Sequence, residues 1–457
     1  MKKRSFLTIM LCIAAVCPVL PQQYKQLTDV PTVYVETENH QSITSKENYI
    51  YCTFIYVDGD SIGRFENTQI RGRGNSTWWN CEKKSYRVKF EKKKRMLGEG
   101  FANAKSWPLL ANHGDKTMIR NALTYDLGRF MGMKFCPGAK FVDLYMNGTY
   151  RGTYQITDQV QVHKKRVEVN EDNGWLLEVA NENSREDPYI TSSRYGITYN
   201  IKNPEDEFLT VSKRIAIGQW LQAFENAVCS DDFMDPHKGY RAYIDEEDFI
   251  NWYVGAEITG NIDALYSIYM YKEDDEQKMH FGPLWDLDLG YDNSSERSLL
   301  RNMEAYLGLW NRPFEKILQR MWQDPWFAKA CNDRLNTLVA DGLQQYLLDH
   351  VDSLKEVVRQ TQAQNFKIWP INRQVYDWEK HSYYNNYDSY IADLKSFINI
   401  HIPYLQQAFA ARLTSSIRST RMENSGEGAM YDLHGRRILT PPRKGIYIQN
   451  HQKIIKK

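Results

Sequence analysis

The sequence lacks an excess of either charge. It contains 58 Lys and Arg residues against 57 Asp and Glu residues, which gives a formal net charge of +1 at pH 7. Binding to nucleic-acid phosphates demands a clustered basic excess, so no nucleic-acid partner is expected. The dense basic run at residues 89–95 is interpreted as a solvated strand end and turn.

Cysteines and long apolar runs are also scarce. The seven cysteines are widely spaced, and the five that follow residue 23 form neither a disulfide framework nor a zinc pattern. The clearest apolar run, residues 6–16, follows a charged start and is typical of a secretory signal peptide. It is too short for a membrane anchor, because a spanning helix needs about 20 apolar residues.

These features predict an exported protein with a signal peptide over residues 1–23, cleaved before Tyr24, and no transmembrane segment in the mature chain. Its location is then periplasmic, cell-surface or secreted. Cys17 offers a lipoprotein alternative, but Val16 before it fits poorly to the small residue that such processing requires.

The first half of the chain has the pattern of strands. Apolar and polar residues alternate in two stretches within residues 30–60, and a glycine-bearing loop at 71–78 leads into another strand at 84–90. Because side chains alternate with period two in a strand, Lys84 is predicted on the inward, apolar face.

A helix and a hairpin follow. Asp115 suits an N-cap for an apolar stripe that extends to Met131. Asn147-Gly148 lies between two apolar segments and is the strongest short signal for a β-hairpin.

From Val211 onward the periodicity is helical. The sequence therefore predicts an N-terminal β segment over 24–60, a main domain over 61–412, a linker over 413–429 and a short β tail over 430–457. This tail is similar to the sorting or attachment tails of exported Bacteroidetes proteins.

Two acidic segments are candidates for chemistry. Asp263 follows a predicted helix and precedes an apolar-aromatic run, as a catalytic-loop aspartate does, although a capping role is the alternative. Asp286 and Asp288 lie on one side of an extended segment among apolar residues, and a bound cation would offset the cost of their burial. A structural calcium-like loop, or plain hydrogen bonding, is the alternative there.

The basic candidates are four residues that could contact phosphate. Arg71 and Arg73 flank Gly72 in a turn that could cradle phosphate oxygens, and an ordinary glycine turn is as common. Lys84 could reach a phosphate or extend to solvent at a domain edge. Arg120 lies in the first turns of the predicted helix, where exposed amides favour anions, with capping by Asp115 as the leading interpretation of that segment.

Six segments together resemble the CotH (spore coat protein H) kinase family, in the same order along about residues 60–300. They are IRGRGNSTW (70–78), KKSYRVKF (83–90), LLAN (109–112), DKTMIRN (115–121), NGTYRGTY (147–154) and WDLD (285–288).

The resemblance implies an α+β, atypical protein-kinase-like fold with a β-rich small lobe, a helical large lobe and the small β appendage. It also implies transfer of the γ-phosphoryl group of ATP, with Mg²⁺ or Mn²⁺, to serine or threonine hydroxyls of an exported or surface protein. Asp263 resembles the catalytic aspartate and Asp286 the metal ligand. Asp288, Asn293 and Ser267 are further predicted contacts of the metal or its waters.

Two departures from kinase patterns bear on activity. Ser267 stands where related sequences often have an asparagine, and the helix at 115–131 has no glutamate to pair with a lysine. Gln159 and Glu178 are the candidate substitutes. A catalytically inactive surface scaffold is therefore the second hypothesis, and a carbohydrate-active protein that uses Asp263 and Asp286 as acid and base is the third.

Overall fold

The computed structural model describes residues 24–170, 172–181, 184–260, 266–274, 278–294, 312–375, 379, 383–423, 430–432, 437–438, 442, 444–449 and 452–456. The predicted signal peptide, the predicted catalytic Asp263 and the end of the predicted linker lie outside the described residues.

A closed barrel forms most of the N-terminal half. Its strands follow the order β1-β2-β3-β4-β5-β7-β6, and are β1 (Thr32–Thr37), β2 (Ile50–Asp58), β3 (Ser61–Arg73), β4 (Ser85–Lys94), β5 (Ala104–Leu110), β6 (Ala139–Met146) and β7 (Thr149–Thr157). Neighbours pair antiparallel except at the closure, where β1 runs parallel to β6 with Val33 opposite Leu144. Alternate side chains fill the barrel interior, among them Phe54, Val88 and Trp107.

The predicted hairpin is confirmed as β6 and β7. Asn147 and Gly148 both have positive φ, 49° and 75°, which is the backbone that a two-residue hairpin turn of type I′ requires. The local chemistry of two residues therefore fixes this pair of strands.

A separate five-stranded sheet lies between the barrel and the helices. Its order is β12-β11-β8-β10-β9, from β8 (Trp175–Ala180), β9 (Tyr189–Thr191), β10 (Thr198–Asn203), β11 (Tyr269–Lys272) and β12 (His280–Phe281). One face, which carries Leu177 and Ile201, packs into the large helical core. The opposite face carries Leu176 and Tyr269 in a smaller cluster, against which Ala139 at the start of β6 packs.

Helices form the rest of the main body. They are α1 (Ser76–Asn80), α2 (Arg120–Phe130), α3 (Val211–Cys229), α4 (Glu246–Thr259), α5 (Pro313–Met321), α6 (Pro325–Ala340), α7 (Leu343–Val357), α8 (Arg359–Ile368) and α9 (Tyr387–Glu423). The side chain of Asp245 caps α4 by accepting a hydrogen bond from the Asp248 amide, and α4 ends at Gly260 with φ 57°.

The predicted α+β class is confirmed, but the closed barrel was not predicted. Strands from the predicted N-terminal segment belong to the same barrel as strands of the predicted main domain. The helix predicted from Asp115 begins at Arg120, because residues before it form a turn in which Asp115 accepts from the Thr117 amide at 2.9 Å. The division into two kinase-like lobes stays an expectation.

The C-terminal tail forms a small sheet of its own in the order β14-β13-β15-β16. Its strands are β13 (Met430–Tyr431), β14 (Arg437–Ile438), β15 (Gly445–Gln449) and β16 (Gln452–Lys456). Before it, α9 continues to Glu423, past the predicted start of the linker at 413. Among the described residues, none of the helices combines the length and the apolar character needed to cross a membrane.

Candidate active site

Asp286 lies where the barrel, the five-stranded sheet and α2 meet. It follows the buried Trp285, whose ring stacks on Tyr125 with centroids 6.1 Å apart and meets the edge of Tyr269 at 6.5 Å. Asp286 itself is exposed and has a φ of 65°, a left-handed conformation that aspartate tolerates better than most residues. The aromatic packing therefore fixes the position of a solvent-accessible carboxylate.

Ser267 and Arg73 approach the same place. The Ser267 hydroxyl lies 3.5 Å from the Asp286 Oδ2, and the Ser267 amide donates to the Val179 carbonyl at 2.8 Å. The Arg73 guanidinium lies over the Trp285 ring, 5.5 Å from its centroid. We call Arg73, Ser267, Tyr269, Trp285 and Asp286 the Asp286 corner.

The loop after Asp286 is held by the start of α2. The Leu287 amide donates to the Asn121 Oδ1 at 3.0 Å, and the Arg120 Nε donates to the Gly290 carbonyl at 3.1 Å. The Asn293 side-chain amide donates to the Asp288 carbonyl at 2.6 Å. Asp288 is half-buried and Asn293 is buried. These two predicted metal contacts are therefore less accessible than Asp286, although they belong to the same loop.

Arg120 lies inside this network and not on the cleft surface. Its side chain is 3% exposed and forms an ion pair with Asp115, and its backbone amide donates to the Asp115 Oδ2 at 2.9 Å. The predicted contact of Arg120 with phosphate would require these bonds to break. The geometry makes Arg120 a residue that positions the loop carrying Asp286.

The glycine-bearing segment brings several arginines together on the outer face of the barrel. A side chain at Gly72 would overlap the Trp78 ring, and Gly74 has a φ of 97°, so both positions require glycine. Arg71 lies over the Tyr49 ring at 5.0 Å and directly opposite Arg87 on β4.

The electrostatics of this arginine cluster suit an anion. Burial lowers the pKa of Arg87, Tyr49 opposes the shift, and the charges of Arg71 and Arg73 lower it further. Within the described part of the chain, the buried Nε of Arg71 has no hydrogen-bond partner. Clustered and partly desolvated cations favour a bound anion, because it would offset their repulsion and their lost hydration.

Lys84 lies just before β4, which begins at Ser85, and contacts Trp78, a member of the barrel-interior cluster. It is half-buried, and its Nζ donates to the Trp78 carbonyl at 2.5 Å. The buried lysine is Lys83, which the sequence did not single out. Lys83 donates to the carbonyls of Ala111 and Thr153 at 2.8 and 2.5 Å and to the Asn365 Oδ1 at 2.9 Å.

Glu178, a candidate substitute for the kinase glutamate, pairs with a lysine that the sequence also did not reveal. Lys202 on β10 places its Nζ 3.2 Å from the Glu178 Oε2, and the Tyr269 hydroxyl donates to the Glu178 Oε1 at 2.7 Å. This pair depends on the register between β8 and β10, which no local pattern encodes. Gln159, the other candidate, lies in the turn after β7, where its side-chain amide reaches the Val160 carbonyl at 3.5 Å.

A second acidic group lies away from this corner. Asp245, Asp248 and His280 have ligand atoms within 4.8 Å of one another. The Lys134 ammonium lies among them, 3.7 Å from the Asp248 Oδ2 and 3.3 Å from the His280 Nδ1. A cationic side chain therefore already supplies the positive charge there, and the group carries no metal assignment.

One family of known proteins matches most of the chain. A family model described as CotH kinase protein matches residues 70–400, which include the barrel strands from the end of β3 onward, the five-stranded sheet and the Asp286 corner. No curated protein matches the chain.

Proposed function

The chain belongs to the CotH kinase family, and from this premise we propose that it is an exported phosphotransferase. It transfers the terminal phosphoryl group of ATP to a serine or threonine hydroxyl of an exported or surface protein. The observation that carries the proposal is Asp286, an exposed carboxylate fixed at φ 65° with a serine hydroxyl 3.5 Å away and Arg73 stacked on the preceding residue.

The oxygen atoms at this corner suit a hard divalent cation. Mg²⁺ and Mn²⁺ favour carboxylate, hydroxyl and water oxygens, and Asp286 and Ser267 would hold such an ion, with Asp288 and Asn293 as further proposed contacts. When bound, the ion supplies positive charge that neutralises the phosphate oxygens. Hydrogen bonds from the start of α2 keep the loop that carries Asp286 in place before any ligand arrives.

The cationic side chains provide the remaining charge. Phosphoryl transfer depends mainly on positioning and electrostatic stabilisation. Arg73, which lies over Trp285, and Arg71, two residues earlier on the same face of β3, are the proposed contacts of the phosphate oxygens. Asp263, four residues before Ser267 in the sequence, is the proposed acceptor of the proton from the attacking hydroxyl.

Labelling with ATP tests this function. Purified protein with labelled ATP and Mn²⁺ should label itself or a surface protein from the same cell envelope, and Asp286→Ala should abolish the labelling. Asp232→Ala is a matched control, because its side chain is 63% exposed in a loop remote from the corner. Equal labelling by the wild type and Asp286→Ala would overturn the proposal.

A scaffold without catalytic activity is the second candidate. Ser267 favours it, because a neutral hydroxyl is a weaker metal ligand than an amide or carboxylate oxygen. Calorimetry with ATP and Mn²⁺ separates the two, since a scaffold of this kind should give no heat of nucleotide binding.

A further inference from the structure

A charged pair lies on the face of the five-stranded sheet that is opposite to the helical core. The Lys202 ammonium is 3.2 Å from the Glu178 Oε2 and 2.7 Å from the Glu186 Oε2. Glu178 lies on the central strand β8 and also accepts a hydrogen bond from Tyr269. The Lys202 side chain keeps 21% of its surface exposed, so it can be reached from solvent.

This pair is a neighbour of the Asp286 corner. Val179, the residue after Glu178, accepts the backbone hydrogen bond of Ser267, whose hydroxyl lies 3.5 Å from Asp286. On the other side, Tyr269 joins Glu178 to the edge of Trp285. Both connections run through β8, so the Glu178 carboxylate that holds Lys202 is joined to the Asp286 corner by its own strand and by Tyr269.

We infer that Lys202 is the lysine that binds the nucleotide phosphates, and that the Glu186 carboxylate occupies this anion position until the nucleotide displaces it. The inference rests on the proposed function, because it names a binding residue of the same site. Glu178 is then a positioning residue, which holds Lys202 through a fixed carboxylate.

The two partners of Lys202 differ in the way that such an exchange requires. Glu178 is 15% exposed and is fixed by a second hydrogen bond from a tyrosine. Glu186 is 52% exposed and lies in the connection between β8 and β9. Glu186 can move into the solvent that already reaches its side chain, whereas displacing the Glu178 carboxylate would also break its bond with Tyr269.

Cations from the barrel converge on the same carboxylate. Burial raises the pKa of Glu186, but the charges of Lys202, Lys46 and Arg71 outweigh it and hold the pKa below its usual value. Lys46 is itself fixed to the glycine-bearing segment, because its Nζ donates to the Asn75 Oδ1 at 2.8 Å. Glu186 therefore lies where cations of the sheet and of the barrel face one another, as a bound phosphate would.

Two other lysines, which lie just before β4, are less suited to this role. Lys83 is buried and donates to three protein oxygens, and Lys84 donates to the Trp78 carbonyl and lies over the Trp78 ring. Neither has a carboxylate partner that a phosphate could replace among the contacts found in the described residues. Lys202 has one.

Calorimetry with two ligands on the full-length mature protein tests the inference. Wild type, Lys202→Met and the matched control Lys329→Met, a lysine on α6 that also pairs with a carboxylate and is 67% exposed, are titrated with ATP plus Mn²⁺, and separately with adenosine. Lys202→Met should weaken ATP binding about tenfold or more, because a charge-assisted hydrogen bond to phosphate is lost, and leave adenosine binding unchanged. Lys329→Met should change neither affinity, and Lys202→Arg should restore part of the ATP affinity.

The variant Glu186→Gln should change the ATP affinity in the opposite direction. It removes the competing charge from an exposed side chain and should strengthen ATP binding by a few-fold without any change in adenosine binding. This variant also decides the matter if Lys202→Met does not fold. ATP affinity that is unchanged in Glu186→Gln, or equal in Lys202→Met and wild type, overturns the inference. Absence of ATP binding by the wild type instead overturns the proposed function.

Discussion

Two of the contacts between the barrel and the rest of the molecule are of opposite character. At α8, Lys83, Asp143, Thr153, Thr361 and Asn365 form a buried polar network, which we call the α8 clamp. Asp143 accepts from Thr28, Thr361 and Tyr150 at 2.6, 2.6 and 2.7 Å, and Thr153 meets Thr361 at 2.6 Å. Every one of these side chains has a protein partner within the clamp or next to it.

The Asp286 corner differs in exposure, charge and backbone geometry. Asp286 is exposed at positive φ, and Lys202, Lys46 and Arg71 bring positive charge to the half-exposed carboxylate of Glu186. A buried network with all partners satisfied stabilises one arrangement, whereas clustered charges and unusual backbone angles are found where a ligand completes the site. The comparison predicts that stability depends on the clamp and activity on the corner.

The largest effect is expected from Asp143→Ala in the α8 clamp. The change leaves three hydroxyl donors without their buried acceptor and should lower the free energy of unfolding by about 3 to 5 kcal/mol. Urea unfolding measures the loss. Asp352→Ala, with a side chain 60% exposed, is the control and should cost less than about 1 kcal/mol. Nucleotide affinity per folded molecule should not change, and a tenfold loss of it would contradict the separation of the two regions.

The converse is expected from Asp286→Asn. Asparagine tolerates positive φ as well as aspartate does, so unfolding in urea should match the wild type within about 0.5 kcal/mol. Phosphoryl transfer to the acceptor should fall about a hundredfold, equivalent to about 2.7 kcal/mol in the barrier, because the charge that would hold the metal is lost. A variant that transfers at the wild-type rate would show that Asp286 has no part in the chemistry.

A smaller effect, on both stability and ligand affinity, is expected from a change in α2 that releases the loop after Asp286. Asn121→Ala removes the acceptor of the Leu287 amide, and should lower the free energy of unfolding by about 1 to 2 kcal/mol. Because the same bond orients the segment after Asp286, ATP and Mn²⁺ affinity should fall as well. The exposed Asn336→Ala is the control for calorimetry and unfolding. Loss of stability with unchanged affinity would place the loop outside the site.

Sequence patterns predicted the parts of the fold that short segments determine. Asn147-Gly148 specifies its hairpin through backbone angles that few other residue pairs adopt. The apolar stripe after Val211 predicts α3, which Thr210 caps by accepting from the Lys213 amide. The ordered family segments likewise pointed to the CotH kinase family, whose model matches residues 70–400.

The parts that sequence reasoning missed depend on contacts between distant segments. Barrel closure requires β1 to pair with β6, more than a hundred residues away, and nothing local to either strand encodes that partner. The buried Lys83 was not singled out, because the three oxygens to which it donates lie in distant segments. Lys202 meets Glu178 only through the register of two strands in a sheet that the sequence did not reveal.

The smallest predicted effect is a pH dependence that originates in the α8 clamp. Burial lowers the pKa of Lys83 to about 7, with Asp143 opposing the shift, while the unfolded chain keeps a value near 10.5. Between these values the unfolded chain binds more protons than the folded protein does, so the contribution of Lys83 to stability rises with pH. The slope should be about 1 kcal/mol per pH unit from pH 7.5 to 9, before tyrosines titrate.

Urea unfolding of the wild type and of Lys83→Met across that range isolates this contribution, because the other titrating groups are common to both proteins. The difference in unfolding free energy between them should grow in favour of the wild type as the pH rises. Lys202→Met is the matched control from the other region. The charges of Glu178 and Glu186 outweigh the burial of Lys202 and raise its pKa, so Lys202 stays protonated in the folded and the unfolded chain over this range. Its removal should therefore leave the change of unfolding free energy with pH as it is in the wild type. If the unfolding free energies of wild type and Lys83→Met instead change with pH in parallel, the clamp holds a charged lysine, bonded to its three oxygens, at every pH tested.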